Sequence, residues 1–456
     1  SADRAVIGPA VEAAGDEQTV IVRLTEQPEA TIRATSHESQ AGRMQSHATT
    51  TQSPFERFAT TTPGVEIDRS FWLINALVVS VDTNDVPLQR LGAVENVKQI
   101  HENYNLSVAA TAATGPTAEP QPISPSPFAR SAMSIQRSPP QQPSTAQLGP
   151  TTPTTDGLAR INAPGAWAYT RGASTSIAVL DTGVDPTHPD IDLAPTNWKE
   201  WNSEGNPQTT VPQDYDGHGT HVSGIAAGGN ASGTAIGVAP ETELYHGAVL
   251  TDCGNNGRCV GTIAQLTAGM QWAVAQNVDV ISVSLGGTPE KSIELNPTIA
   301  AVRNANDAGS VVVAAAGNNG PGVTTSPGNV YGAISVGASS RDATIWDKSG
   351  SGIVRTDAWE NPPSDWPATY SVPTVVAPGI GINSSVPGGG YGQRTGTSQA
   401  TPHVAGTVAL MRAVRPELSP ERIESTLAAT AVDVGAARTR QGAGRIDAAA
   451  AVAAVA

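Results

Sequence analysis

Residues 243–287 read ELYHGAVLTDCGNNGRCVGTIAQLTAGMQWAVAQNVDVISVSLGG, and this stretch decides the fold class. ELYHGAVL (243–250) and VDVISVSLGG (278–287) are short, nearly unbroken apolar runs of strand length. TIAQLTAGMQWAVAQ (262–276) between them spaces its apolar residues at helical intervals. Strand, helix and strand in that order make a βαβ unit, and strands apolar on both faces imply a parallel sheet covered on both sides. Outward from this unit, SIAVLD (176–181), SVVVAAAGN (310–318) and AISVGA (333–338) read as further buried strands. HVSGIAAG (221–228) and HVAGTVALMRAV (403–414) read as helices. The expected class is therefore α/β, a doubly wound, mostly parallel sheet with helices on both faces, over residues 156–456. In such sheets the working groups gather at the C-terminal strand ends, beside the point where strand order reverses.

Two other blocks precede this one. Residues 1–107 read as a small α+β unit, with TVIVRL (19–24) and LINALVVSVD (73–82) as β-rich runs and a helix-compatible segment between them. VPLQRLGAV (86–94) follows, then VKQIHENYNLSV (97–108) as a last strand. Residues 108–155 lose all periodicity and hold ten prolines, which is a linker composition.

The chain has 456 residues, with 26 Lys and Arg against 41 Asp and Glu for a net charge of −15. That balance excludes nucleic acid as a partner, since phosphate recognition needs a basic face. No apolar run reaches the roughly 20 residues of a membrane span. The first residues, SADRAV, carry neither an initiator Met nor a basic-then-apolar leader, so a targeting segment is expected to have been removed already. Cys253 and Cys259 are the two cysteines. A loop disulfide fits a secreted protein and two free thiols a cytosolic one; the Gly/Asn-rich residues between them favour the bridge, and with it an extracellular location.

Four positions carry candidate chemistry. Asp181 leaves the strand SIAVLD into a Gly turn, where an Asp is often only a turn residue. His218, in DYDGHGTHVSG, stands between two glycines at a helix start; capping is its plain alternative, and His221 reads as packing. Ser398, in QRTGTSQATPHVAG, opens a long apolar helix, where Ser is ordinarily an N-cap. Asn318 ends the strand run VVVAAAGN, as a turn residue or as an amide donor. Together these four types are what acyl transfer requires. A Ser nucleophile needs a neutral imidazole to take its proton, the imidazole needs a carboxylate to fix its tautomer, and the oxyanion needs preorganised donors.

The segments AVLDTGVD, DGHGTHVSG, SVSLGG, AAAGNNG and GTSQATPHVAG, in that order over about 300 residues, resemble the subtilisin-like (subtilase) serine endopeptidases. The resemblance implies Asp181 as orienting carboxylate, His218 as general base and then acid, and Ser398 as nucleophile. Asn318 and the Ser398 backbone N–H are implied as the oxyanion hole. It further implies Ser284, Leu285 and Gly286 as the edge that pairs with extended substrate, and Ala315, Ala316 and Gly317 as one wall of the pocket for the residue before the scissile bond. No cofactor is required for the chemistry. The loop GGNASGTAIG (228–237) lies where many family members bind a structural calcium, but Ala231 stands where a side-chain oxygen is wanted. Gln399 replaces the Met that usually follows the nucleophile, and the stretch 345–373, with Trp346, Trp359 and Trp366, is insertion-like. It reads as a solvated loop with its own cluster or as a substrate rim.

Residues 1–107 resemble the inhibitor-like propeptide that precedes subtilase domains. The reading that follows is a secreted zymogen, a monomer whose partners are polypeptide substrates and its own propeptide, acting as intramolecular inhibitor and folding aid and released by self-cleavage near the linker. No nucleic acid or membrane partner is expected, and no accessory domain after the closing helix. A catalytically silent scaffold acting as a binding module is the alternative from another class; it predicts loss of a triad residue, and none is lost.

Overall fold

Strand β7 (Ser176–Asp181) alternates its side chains between two cores, and the rest of the large sheet is built around it. Ile177 and Val179 pack on one side with Val222, Val404 and Val408. Ala178 and Leu180 pack on the other with Ile263, Leu266 and Met270. Period-two alternation with both faces apolar is what a central parallel strand demands. The computed structural model describes residues 5–8, 16–25, 37–108, 153–254, 259–287, 297–359 and 362–456. Nearly all of the stretch read as a linker, 108–155, lies outside the described residues.

Six strands precede β7: β1 (Val6–Ile7), β2 (Glu17–Leu24), β3 (Val65–Phe71), β4 (Ala76–Asp82), β5 (Val97–Glu102) and β6 (Asn105–Val108). After it come β8 (Trp198–Trp201), β9 (Pro207–Gln208), β10 (Glu243–Ala248), β11 (Asp252–Cys253), β12 (Cys259–Thr262), β13 (Val280–Val283) and β14 (Leu285–Gly286). The series ends with β15 (Val311–Ala315), β16 (Ile334–Ser339), β17 (Gly352–Arg355), β18 (Thr369–Val372), β19 (Val375–Pro378), β20 (Ile382–Val386) and β21 (Gly390–Arg394). The large sheet runs β19-β16-β15-β13-β7-β10-β8-β9, parallel except for the β8–β9 edge pair. From β7 the chain builds first toward β10 and then, in the other direction, toward β13, β15, β16 and β19, so strand order reverses at β7. Helix Thr397–Val414 packs on one face with helix His218–Ala227, and helix Ile263–Ala275 on the other.

The N-terminal sheet is β1-β5-β2-β4-β3, antiparallel apart from β1–β5, with helix His37–Thr61 against it. Val20, Val22, Leu77 and Val79 form its own core with Phe55. Ile21, Val78, Phe71 and Leu73 belong instead to the core of the large unit, with Ile263 and Ala301. Polar anchors fix the docking: Gln271 Oε1 accepts from the backbone N–H of Trp72 (2.8 Å) and Leu73 (3.0 Å).

The single last strand expected over 97–108 is two strands. The break falls at Asn103–Tyr104, because these residues bond to the large unit rather than to the ladder. Asn103 Nδ2 donates to Ser203 O (2.9 Å), Asn103 Oδ1 accepts from Ala264 N–H (3.1 Å), and Tyr104 O accepts from Ile263 N–H (3.0 Å). The polar pair thus caps orphan donors at the start of helix Ile263–Ala275. Beyond it, β6 enters a second sheet of order β11-β12-β6-β14.

Candidate active site

The ends of β7, β13 and β15 lie side by side, since Leu180 pairs with Val283 and Val283 with Ala314. The next residues along those strands are Asp181, Ser284 and Ala315, so three of the expected positions meet where strand order reverses. Asp181 and His218 are both fully buried, and Asp181 Oδ1 lies 2.7 Å from His218 Nδ1. A carboxylate there fixes the tautomer with the proton on Nδ1 and the lone pair on Nε2. His218 Nε2 has no hydrogen-bond partner within the protein.

What holds His218 is a set of side chains from the loop before its helix and from the turn after β7. Asp216 Oδ1 accepts from His218 N–H (2.6 Å), Thr182 Oγ1 from Gly219 N–H (2.9 Å), and Asp214 Oδ2 from Thr220 N–H (2.7 Å). Three donors of the first helical turn are thereby satisfied, and negative charge at a helix N-terminus is favourable. Burial pushes the Asp216 carboxyl above its usual range, with the His218 imidazole acting the other way. Thr182 Oγ1 in turn donates to Asp214 Oδ1 (2.8 Å), which ties the β7 turn to this loop. The turn itself needs glycine. Gly183 has φ +111°, and a Cβ there would lie 2.0 Å from Gln213 O; a Cβ on Gly219 would lie 1.9 Å from Gly183 O. Backbone therefore packs on backbone, and that contact carries His218 to Asp181.

Ser398 begins the helix Thr397–Val414 after Gly396, and it interlocks with Ser284. The Ser398 hydroxyl donates to Ser284 O at 2.9 Å, and the Ser284 hydroxyl donates to Ser398 O at 2.9 Å. The nucleophile candidate thus rests on the residue beside Asp181, with its hydroxyl turned to a carbonyl rather than to His218. Asn318 follows β15, and its Oδ1 accepts from both Thr397 N–H and Thr397 Oγ1 (2.9 Å each). That leaves the buried Asn318 Nδ2 without a partner in the protein.

Leu285 and Gly286 are paired, and their partner is the chain itself. In β14–β6, Leu285 pairs with Val108 and Gly286 with Ser107. On its other side β6 pairs with β12, through Ser107–Val260, Leu106–Gly261 and Asn105–Thr262. Leu106 is 1% exposed and sits in the core between the two units. Ala315, Ala316 and Gly317 are buried beside this edge; Gly317 has φ +103°, and a Cβ on it would press on Thr325. Cys253 and Cys259 face each other across β11–β12 and are bonded.

Within the stretch 345–373, β17 pairs with β18, and the cluster expected there is present. Trp359 and Trp366 are buried edge to face, 5.8 Å apart, beside Tyr331 and Tyr370. The leading segment of the stretch reaches the site from behind, where Gly320 N–H donates to Lys348 O (2.9 Å) and Gly350 N–H to Gly317 O (2.7 Å). In the loop 228–237, where the resemblance places a calcium that Ala231 already put in doubt, the residues present are a poor donor set for that ion. The oxygens of Asp190 accept from Ala231 N–H (2.5 Å) and Tyr391 OH (2.7 Å), which leaves Asn230 and carbonyls. Among the described residues, no group of three or more His, Cys, Asp or Glu could hold a metal.

The supporting residues Thr182, Asp214, Asp216 and Thr397 were not singled out in the sequence. A signal existed for two of them, since acidic residues just ahead of an apolar helix are its usual N-terminal mark. The Subtilase family model matches residues 172–444. The chain is 36% identical over 288 residues to subtilisin E of Bacillus subtilis (strain 168), covering 61% of this chain and 66% of that protein. It is 35% identical over 288 residues to subtilisin of Bacillus pumilus (61% and 92%) and 35% over 284 to subtilisin Savinase of Lederbergia lenta (61% and 91%). Residues 1–107 lie outside the family match. With a buried carboxylate–imidazole pair at the point where the sheet reverses and three-fifths of its length matched, this chain belongs to the subtilase family of serine peptidases.

Proposed function

We propose that the chain is a secreted serine endopeptidase zymogen in which Asp181, His218 and Ser398 form the triad, and in which residues 1–107 inhibit the site until they are cut away. The observation that carries this reading is the buried His218, held through Nδ1 by Asp181 at 2.7 Å while Nε2 has no protein partner. Catalysis begins when the Ser398 hydroxyl leaves Ser284 O for His218 Nε2. Its oxygen then attacks the scissile carbonyl as Nε2 takes the proton. Asp181 stabilises the imidazolium that forms, and Asn318 Nδ2 with the Ser398 N–H receives the oxyanion. His218 returns the proton to the leaving amine, and the acyl-enzyme is released by water that His218 activates in the same way.

Substrate binds as an added strand along Leu285–Gly286, the place that β6 takes in the intact chain. An inhibitor that occupies its enzyme as a substrate-like strand is cut where the strand passes the nucleophile. Leu285 and Gly286, which β6 covers, adjoin Ser284, on whose carbonyl Ser398 rests. The first self-cleavage is therefore expected within the few residues that follow Val108. The test is intact mass over time for the purified chain beside Ser398→Ala. The wild type is expected to lose a fragment ending shortly after Val108 and then to hydrolyse peptides, while the variant stays whole and inactive. Equal processing or turnover in the variant would refute the triad, and a stable, inactive wild type would favour the silent scaffold.

A further inference from the structure

Gln399 is fully buried one residue after Ser398, and neither Oε1 nor Nε2 of its side chain has a hydrogen-bond partner within the protein. A carboxamide in that state is costly unless something else satisfies it. Its position indicates what that is. A Cβ built on Gly396 would lie 3.1 Å from Asn318 Nδ2, 3.1 Å from Gln399 Oε1 and 3.6 Å from Ser398 N. Three polar groups therefore surround one small cradle above a residue that has no side chain to fill it. Two of them, the Asn318 amide and the Ser398 N–H, are the oxyanion donors of the reading above, on which this inference rests.

We propose that Gln399 is a catalytic residue, a third amide donor to the oxyanion. The Oε1 and Nε2 ends of a carboxamide exchange by a half-turn about its last torsion, which is soft. An anionic oxygen in the cradle selects the orientation that presents Nε2–H, as it selects the free Nδ2–H of Asn318. The ground-state carbonyl is neutral and draws less on that donor, so the contact acts mainly on the transition state. Asn318 is fixed by Thr397 at its oxygen end. Gln399 has no such tether among the described contacts and supplies an adjustable donor beside a fixed one.

The test uses the full chain after self-processing, with active sites counted by a covalent titrant. Gln399→Leu keeps a similar volume and removes the amide. It is expected to lower kcat about 10- to 100-fold, less than the 10²- to 10³-fold of a fixed oxyanion donor because this amide is untethered, with KM within about twofold. A peptide aldehyde, whose hemiacetal oxygen takes the oxyanion position, is expected to bind more weakly by a similar factor, and the matching peptide alcohol equally well. Gln399→Glu adds a pH readout. Its carboxyl donates when protonated and repels the oxyanion when ionised, so the ratio of variant to wild-type kcat falls as pH rises through that group's pKa. If Gln399→Leu does not accumulate as folded protein, Gln399→Met is measured in the same way. A kcat within twofold of wild type, or equal losses for aldehyde and alcohol, would assign Gln399 to packing and overturn the proposal. Either result leaves the triad standing so long as Ser398→Ala abolishes wild-type turnover, and turnover that survives Ser398→Ala refutes the triad instead.

Discussion

Asn318 divides its carboxamide between two tasks. Oδ1 is spent on Thr397, with one bond from the backbone N–H and one from the hydroxyl, and Nδ2 is left bare. The first task orients the second, because a planar amide held at its oxygen has no freedom to turn its nitrogen away. Asn318→Leu is expected to lower kcat by about 10²- to 10³-fold with little change in KM, since in the proposed mechanism the donor acts on the oxyanion. It should also cost about 1–3 kcal/mol of stability, because the buried Thr397 N–H loses its acceptor. Thr397→Val removes only the hydroxyl and leaves the backbone bond, so a smaller loss of kcat, about tenfold or less, is expected. Active-site-titrated kinetics with a urea midpoint for each variant separates the two effects, and a larger loss for Thr397→Val than for Asn318→Leu would contradict this order of roles.

At the scale of elements, the loop that carries Asn318 is secured by a chain of contacts that ends far away in sequence. Arg440, on the short helix Arg438–Gln441, donates to Trp346 O (2.9 Å), Ser349 O (2.8 Å) and Ser351 Oγ (2.6 Å). The segment it grips holds the loop after Asn318, through Gly350 N–H to Gly317 O (2.7 Å) and Gly322 N–H to Ser351 O (2.7 Å). Arg440→Met keeps the stem and removes three donors. A loss of about 2–3 kcal/mol in stability and a fall in kcat of severalfold are expected from urea unfolding and titrated kinetics, with Arg440→Lys intermediate because it lacks the planar fork. An unchanged kcat at a lowered midpoint would make Arg440 purely structural. This network was not legible in the sequence, because no local pattern marks an arginine that reaches backbone carbonyls about 90 residues away. The strands β7, β13 and β15 were legible because burial on both faces writes itself as an apolar run. The residues of β6 and β14 were read only as the ends of longer strand runs; that they are separate strands paired with each other was not legible, since each carries too few residues to show a period.

Over the whole molecule, two units share one core, and several titratable groups are sealed in the larger one. The sequence marked the small unit by its β-rich runs, but its docking depends on Phe71, Leu73 and Leu106, whose burial faces residues far along the chain such as Ile263 and Ala301. Packing inside the large unit seals several imidazoles, and three of them are shifted by it. Burial pushes His221 down to about 3 and His246 and His403 down to about 4, from an ordinary value of 6.5. Each is neutral in the folded chain and takes a proton on unfolding below pH 6.5, so its contribution to stability is present above that pH and lost as the solution is acidified toward pH 4. Glu424 acts in the opposite sense. Burial raises its carboxyl to about 7 from 4.5, so its contribution is present below pH 4.5 and lost as pH rises toward 7. Between these limits the three imidazoles outweigh Glu424, and stability falls as the pH is lowered. The measurement is the urea midpoint of the Ser398→Ala chain, which avoids self-cleavage, at intervals from pH 7.5 to 4.5. The midpoint is expected to fall steadily below about pH 6.5, and to fall less steeply when His246 is replaced by Gln, which cannot take the proton. A flat midpoint down to pH 5, or an unaltered slope in His246→Gln, would show that these imidazoles already have access to solvent.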